Sequence, residues 1–86
     1  MNNYVILING ILAPPGIVEI RKANSSVDGQ FVHATMDKEK MGEKKLKYLD
    51  VFEMRASNVV RRYHSKEFKD TDGKISCRCF GVENTF

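Results

Sequence analysis

The chain has 86 residues, 42% of them hydrophobic and 29% charged, with a net charge of +3 and a pI near 9.0. That length holds a single core, so the sequence predicts one domain over residues 1–86, and the composition excludes wholesale disorder. The charge is mild and uneven: residues 1–36 balance at zero, while residues 37–86 carry 12 basic and 9 acidic side chains. Such an excess permits nucleic acid or an acidic protein surface as partner and requires neither.

Tyr4-Val5-Ile6-Leu7-Ile8 is a continuous aliphatic run bounded by Asn2-Asn3 and Asn9-Gly10, the pattern of a central strand buried on both faces. The run is too short to cross a membrane as a helix, and no basic n-region precedes it, so no secretory signal is read here. Ala13-Pro14-Pro15-Gly16 is a turn, because two prolines remove two donors and glycine supplies a permissive backbone. From Ile17 to Ala23 the chain alternates, Val18 and Ile20 on one side and Glu19 and Arg21 on the other. Asn24 to Gly29 has loop chemistry. Gln30 to Met36 alternates again, with Val32, Ala34 and Met36 opposite Phe31, His33 and Thr35, which predicts an antiparallel hairpin with the preceding strand.

The stretch from Glu43 to Lys69 has no glycine or proline, and Leu46, Leu49, Phe52, Ala56, Val60 and Tyr63 recur at three- and four-residue steps. That spacing predicts one long helix packed on the sheet. Thr35 or Asp37 can cap an earlier start, but Gly42 argues for a beginning near Glu43. Leu46, Tyr48, Asp50, Phe52 and Met54 also alternate, giving a competing strand followed by a shorter helix capped at Ser57 or Asn58. The single helix is preferred because Asp50 breaks the strand face. Asp70-Thr71-Asp72-Gly73 ends the helix. Ile75, Cys77 and Cys79 then face a core, with Lys74, Ser76, Arg78 and Phe80 outward, and a tail follows from Gly81. The expected fold is α+β: a mostly antiparallel sheet of three to four strands with one long helix, in the order β-β-β-α-β.

On that helix Lys44, Tyr48, Arg55, Arg62 and Lys66 fall on one flank, spanning about 40°. Cations at this spacing can follow a phosphate backbone while an aromatic ring stacks a base. Arg78 on the last strand extends the surface, with Phe80 beside it. Val51 and Met54 lie outward on the helix and are candidates for a partner-binding spot. Cys77 and Cys79 with His33 and His64 are zinc-compatible ligands, but the C-x-C spacing and scattered histidines argue against a metal, and none is expected. Two residues apart on a strand, the cysteines point the same way and a disulfide would distort the backbone, so reduced thiols are expected. No nucleophile elbow, phosphate loop or dinucleotide fingerprint is present, so neither catalytic residues nor a cofactor are expected. His64 and Arg62 diverge by about 200° on a helix, which argues against joint acid–base work.

Val5-Ile6-Leu7-Ile8-Asn9-Gly10 slightly resembles the first-strand motif of RNA-recognition-motif domains. The glycine-rich second motif with alternating aromatics is missing and no helix follows the first strand, so no family is assigned. The leading expectation is a small, non-catalytic, cytoplasmic nucleic-acid-binding protein with accessory or inhibitory action, favouring RNA or single strands. The alternative is a protein-binding module or inhibitor of a host or partner enzyme, of phage type, acting through an exposed helix face. A homo-oligomer is compatible with either.

Overall fold

A computed structural model describes residues 3–26, 29–42 and 45–82. Among them the chain forms eight strands and one short helix: β1 (Asn3–Ile8), β2 (Ile11–Leu12), β3 (Val18–Ser26), β4 (Gly29–Asp37), α1 (Lys38–Met41), β5 (Leu49–Arg55), β6 (Asn58–Ser65), β7 (Lys69–Thr71) and β8 (Lys74–Gly81). The strands make one antiparallel sheet in the order β2-β1-β5-β6-β8-β4-β3, with β7 paired to β8, curled into a half-barrel.

The expected α+β fold with its long helix is therefore wrong. A helix of 27 residues would measure about 40 Å, longer than the molecule's largest extent of 33 Å. Residues 49–65 instead form a hairpin in which Leu49 faces Ser65, Asp50 faces His64 and Arg55 faces Asn58. The turn holds Ala56 at φ 54°, a left-handed conformation that costs an L-residue about 1–2 kcal/mol. No glycine marks it, so the sequence reads straight through. Between Glu53 and Met54 the register shifts, leaving Val60 as the extra residue of a bulge, half-exposed at 48%. The strand reading of residues 46–54 was right about β5, but no helix follows Ser57. Asp50 does not break the strand; it points to the outer face, where a partner waits.

The sheet's inner face holds the core. Ile8, Val32, Ala34, Met36, Leu49, Val51, Tyr63, Cys77 and Cys79 are buried there, with Met41 added from α1. Cross-strand pairs such as Val32↔Cys79 and Ala34↔Cys77 set the layers. The alternation read for β3, β4 and β8 matches this arrangement. β1 differs: it lies one strand from an edge, and Val5 is exposed on the outer face. Asn24 to Ser26 extend β3, whereas Val27, Asp28 and residues 83–86 lie outside the described residues, as do Glu43 and Lys44.

Gly42, taken as an argument against a helix at Asp37–Met41, terminates one. Asp37 accepts from the Glu39 amide at 3.0 Å as N-cap, and Gly42 at φ 67° supplies the exit. Asn9 and Gly10, at φ 52° and 83°, form the tight turn between β1 and β2. The Asn9 side chain clamps the incoming segment of β5: Nδ2 donates to the Lys45 carbonyl at 2.8 Å, and Oδ1 accepts from the amides of Lys47 at 2.7 Å and Tyr48 at 3.1 Å. No helix among the described residues is long and apolar enough to cross a membrane.

Candidate functional site

Strand β8 has two unequal neighbours. It registers with β4 from Phe31↔Phe80 to Asp37↔Lys74, but with β6 only at Tyr63↔Gly81 and His64↔Phe80. β6 leaves the sheet at Ser65, whose hydroxyl donates to the Glu67 carbonyl at 2.9 Å and turns the chain. The chain returns as β7, pairing Lys69↔Ser76 to Thr71↔Lys74. Residues 77–79 of β8 thus register with β4 alone. A groove of about 780 Å³ opens beside them, and its walls include His33, His64, Lys66, Phe68, Arg78 and Phe80.

On the outer face, one row runs across four strands as Phe31, Phe80, His64 and Asp50. Phe31 and Phe80 pack with ring centroids 5.6 Å apart, and the Arg78 guanidinium lies 5.2 Å from the Phe31 ring. Asp50 is 5% exposed, and a lone buried carboxylate would be costly. Its Oδ1 accepts from Arg62 Nε at 3.2 Å and Nη2 at 2.9 Å, and His64 Nδ1 lies 2.7 Å away. The carboxylate selects the imidazole tautomer or cation with hydrogen on Nδ1, which leaves Nε2 for another partner. Tyr48 closes this end, its ring centroid 5.9 Å from that of His64. Gly10 admits it: a Cβ there would meet the Tyr48 hydroxyl at 2.8 Å. His33 Nδ1 is buried without a hydrogen-bond partner.

The predicted site residues divide accordingly. Tyr48, Arg62, Lys66 and Arg78 gather around the groove or its neighbouring row, though not as one helical flank. Arg55 lies at the β5–β6 turn, opposite Asn58, and does not line the groove. Lys44 is outside the described residues. Val51 is fully buried on the inner face and cannot meet a partner, while Met54 is half-buried at the end of β5. Arg62 and His64, separated by the helical geometry, are alternate residues of β6 and meet on one carboxylate. Asp50, Phe31, Phe52 and the two histidines were not picked as binding residues. The alternation of Phe31, His33, Arg78 and Phe80 outward from β4 and β8 was the available signal.

Inward, Tyr63 donates its hydroxyl to Glu53 Oε1 at 2.7 Å; burial, then that bond and the carboxylate's charge, pushes its pKa upward. Cys77 and Cys79 are free thiols with sulfurs 3.6 Å apart. Their side chains belong to the inner face and the histidines to the outer; Cys77 reaches the groove that both histidines line, but Cys79 does not. Among the described residues no group of three His, Cys, Asp or Glu is placed to hold a metal ion. The chain matches no protein-family model, no curated protein and no solved structure.

Proposed function

We propose that the protein binds single-stranded nucleic acid, with RNA favoured, along the outer face of β4, β8 and β6, as a non-catalytic accessory protein in the cytoplasm. One observation carries this reading: Arg78 and Lys66 border the same groove as Phe80, with Phe31 packed beside it. Cations there can neutralise phosphates, and the Phe31–Phe80 pair offers a surface on which an unpaired base can stack, worth about 1–3 kcal/mol per base. Single strands suit this face better than duplex, because the Phe31–Phe80 rings can stack only unpaired bases, and α1, with four residues, is too short a helix to enter a major groove.

Fluorescence anisotropy with a labelled single-stranded RNA, titrated across salt, tests the reading. Affinity should fall steeply as salt rises, and Arg78→Ala and Lys66→Ala should each flatten the slope by about one unit. Phe80→Ala should weaken binding with the slope unchanged. Absence of binding to any single strand at low salt would sink the proposal.

A second reading, capture of a partner protein, rests on edge strand β2, where Ile11 and Leu12 are 63% and 65% exposed. An uncovered edge with apolar side chains is a template for a further strand. Ile11→Lys would abolish that activity and leave RNA binding intact.

A further inference from the structure

We infer that Cys77 and Cys79 are a peroxide-sensitive thiol pair whose disulfide buckles β8 at Arg78 and moves that side chain from its place beside the Phe31 ring. The switching half rests on the nucleic-acid reading above; the disulfide chemistry does not. The two sulfurs are 3.6 Å apart, already in contact on one side of β8. Closing to a bonded distance of about 2.05 Å requires an approach of roughly 1.5 Å. Residues two apart on an extended strand have Cα atoms about 6.7 Å apart, whereas disulfides favour about 5.5–6 Å. The bond therefore shortens the strand locally, and the residue that buckles is the one between, Arg78.

The sheet allows that buckle at this place. Residues 77–79 register with β4 alone, because β6 pairs with β8 only at residues 80 and 81 and β7 only at residues 74–76. Opposite the missing partner is the groove, and Cys77 lines it, which gives a small oxidant a route to one sulfur of a pair otherwise in the core. Cys79, fully buried behind it, is placed to resolve. The Cys79 thiol hydrogen-bonds Cys77 and lowers its pKa, with a smaller contribution from the Ser65 hydroxyl opposing burial, so Cys77 is the sulfur that ionises first.

The chemistry balances with hydrogen peroxide as oxidant. The Cys77 thiolate attacks one peroxide oxygen, the O–O bond breaks, hydroxide leaves, and the sulfur, oxidised by two electrons, becomes a sulfenic acid. The Cys79 sulfur then attacks Cys77 Sγ; the S–S bond forms, the S–O bond breaks, and the departing hydroxide takes the Cys79 proton as water. A dithiol such as dithiothreitol reverses the step by exchange.

The experiment treats the whole reduced protein with hydrogen peroxide and reads intact mass, free thiols and RNA anisotropy on the same sample. The expected result is a loss of about 2 Da and both titratable thiols in a monomer, with RNA affinity lowered about tenfold through the displaced Arg78 contact to phosphate, and recovery in dithiothreitol. Cys79→Ser should stop at a sulfenic acid that a dimedone probe captures on Cys77, and Cys77→Ser should react with neither. Thiols that stay titratable, an intermolecular disulfide, or direct passage to sulfinic acid would each overturn the inference. A disulfide that forms while RNA binding is unchanged would overturn its switching half. Absence of RNA binding by the reduced protein would instead remove the nucleic-acid reading and the switch together, leaving the mass shift to test the thiol pair.

Discussion

The two edges of β8 are unlike one another. Toward β4 the pairing is continuous, and the side chains it carries inward, Val32, Ala34, Met36, Cys77 and Cys79, are almost wholly removed from water. Toward β6 it lasts for two residues, then gives way to a turn, a groove and the short strand β7. The closed edge is held by burial, which has no directional requirement and tolerates no charge. The open edge is held by a few named polar contacts: the Val82 amide to the Arg62 carbonyl at 2.9 Å, the Ser65 turn, and the cluster on Asp50. A sheet that closes one edge and leaves the other ajar gains a groove at little cost to its core.

The largest effect should come from charging the closed edge. Val32→Asp puts a carboxylate where exposure is zero, with an aliphatic and thiol environment on every side. The cost should exceed about 4 kcal/mol, enough to unfold a domain of this size. Circular dichroism on heating should show no cooperative transition; a folded Val32→Asp protein would mean that the β4 edge is not the sheet's main support. Phe68→Ala, at the open edge, should cost only about 1–3 kcal/mol and keep a cooperative transition, since that ring is half-buried at the groove wall.

Next in size is Asp50→Ala. It removes the acceptor shared by Arg62 and His64, and Arg62 remains with part of its side chain covered. Because that side chain keeps 35% of its exposure, screening reduces the penalty to about 2 kcal/mol, less than for a fully buried pair. Chemical denaturation should show the loss, and salt should reduce the difference from the parent only weakly. A change below about 0.5 kcal/mol would mean that the cluster is a surface ion pair and leaves His64 unpositioned.

Tyr63 joins the open edge to the core, facing Gly81 across the β6–β8 seam. Its pKa is raised in the folded protein above the ordinary value of 10.0, so the folded state keeps the phenol proton at a pH where the unfolded chain has lost it. Stability is therefore fully present below pH 10 and falls as pH rises beyond it. Tyr4, also raised by burial and by Glu53, adds to the same loss. Melting temperature should decline above pH 10, and Tyr63→Phe should make that decline shallower while costing about 1 kcal/mol at neutral pH. An identical alkaline profile in the variant would assign the loss to other groups.

The closed edge was legible in the sequence and the open edge was not, for a physical reason. β4 and β8 alternate strictly and β3 does so from Val18 to Arg21, ahead of its register shift, because one face is buried, and period two is hard to mistake. β5 and β6 obey two periods at once: Leu49, Phe52, Ala56, Val60 and Tyr63 fit a helix, although in the sheet they point inward, outward, into a turn and into a bulge. A left-handed Ala56 hides the turn where glycine or asparagine would have shown it. Asp50 then looked like an interruption of a strand face, when its partner His64 sits opposite on β6. Lys66 and Arg78 line one groove, with Arg62 and Tyr48 beside it around Asp50 and His64, but the helical geometry that put Tyr48, Arg62 and Lys66 on one flank was wrong; it also put Arg55 there and turned Val51 outward.

The smallest effect separates two causes of the open edge. Gly81 ends β8 opposite Tyr63, and its backbone is not among those held at positive φ. A Cβ there would meet the Gln30 carbonyl oxygen at 3.5 Å and Arg61 Cδ at 3.6 Å, ordinary contact distances. Alanine therefore fits, and relieving the entropy that glycine loses in a strand should stabilise the protein by about 0.5 kcal/mol. If backbone freedom at Gly81 keeps the β6–β8 seam short, Gly81→Ala should also slow amide exchange at Val82, whose N–H bonds the Arg62 carbonyl. If the Ser65 turn keeps it short, stability should rise while exchange at Val82 stays as it was, and Ser65→Ala, which removes the turn's hydroxyl, should alter it instead. A loss of stability on Gly81→Ala would refute both accounts, because it would mean that the seam is packed more tightly than its two registered pairs imply.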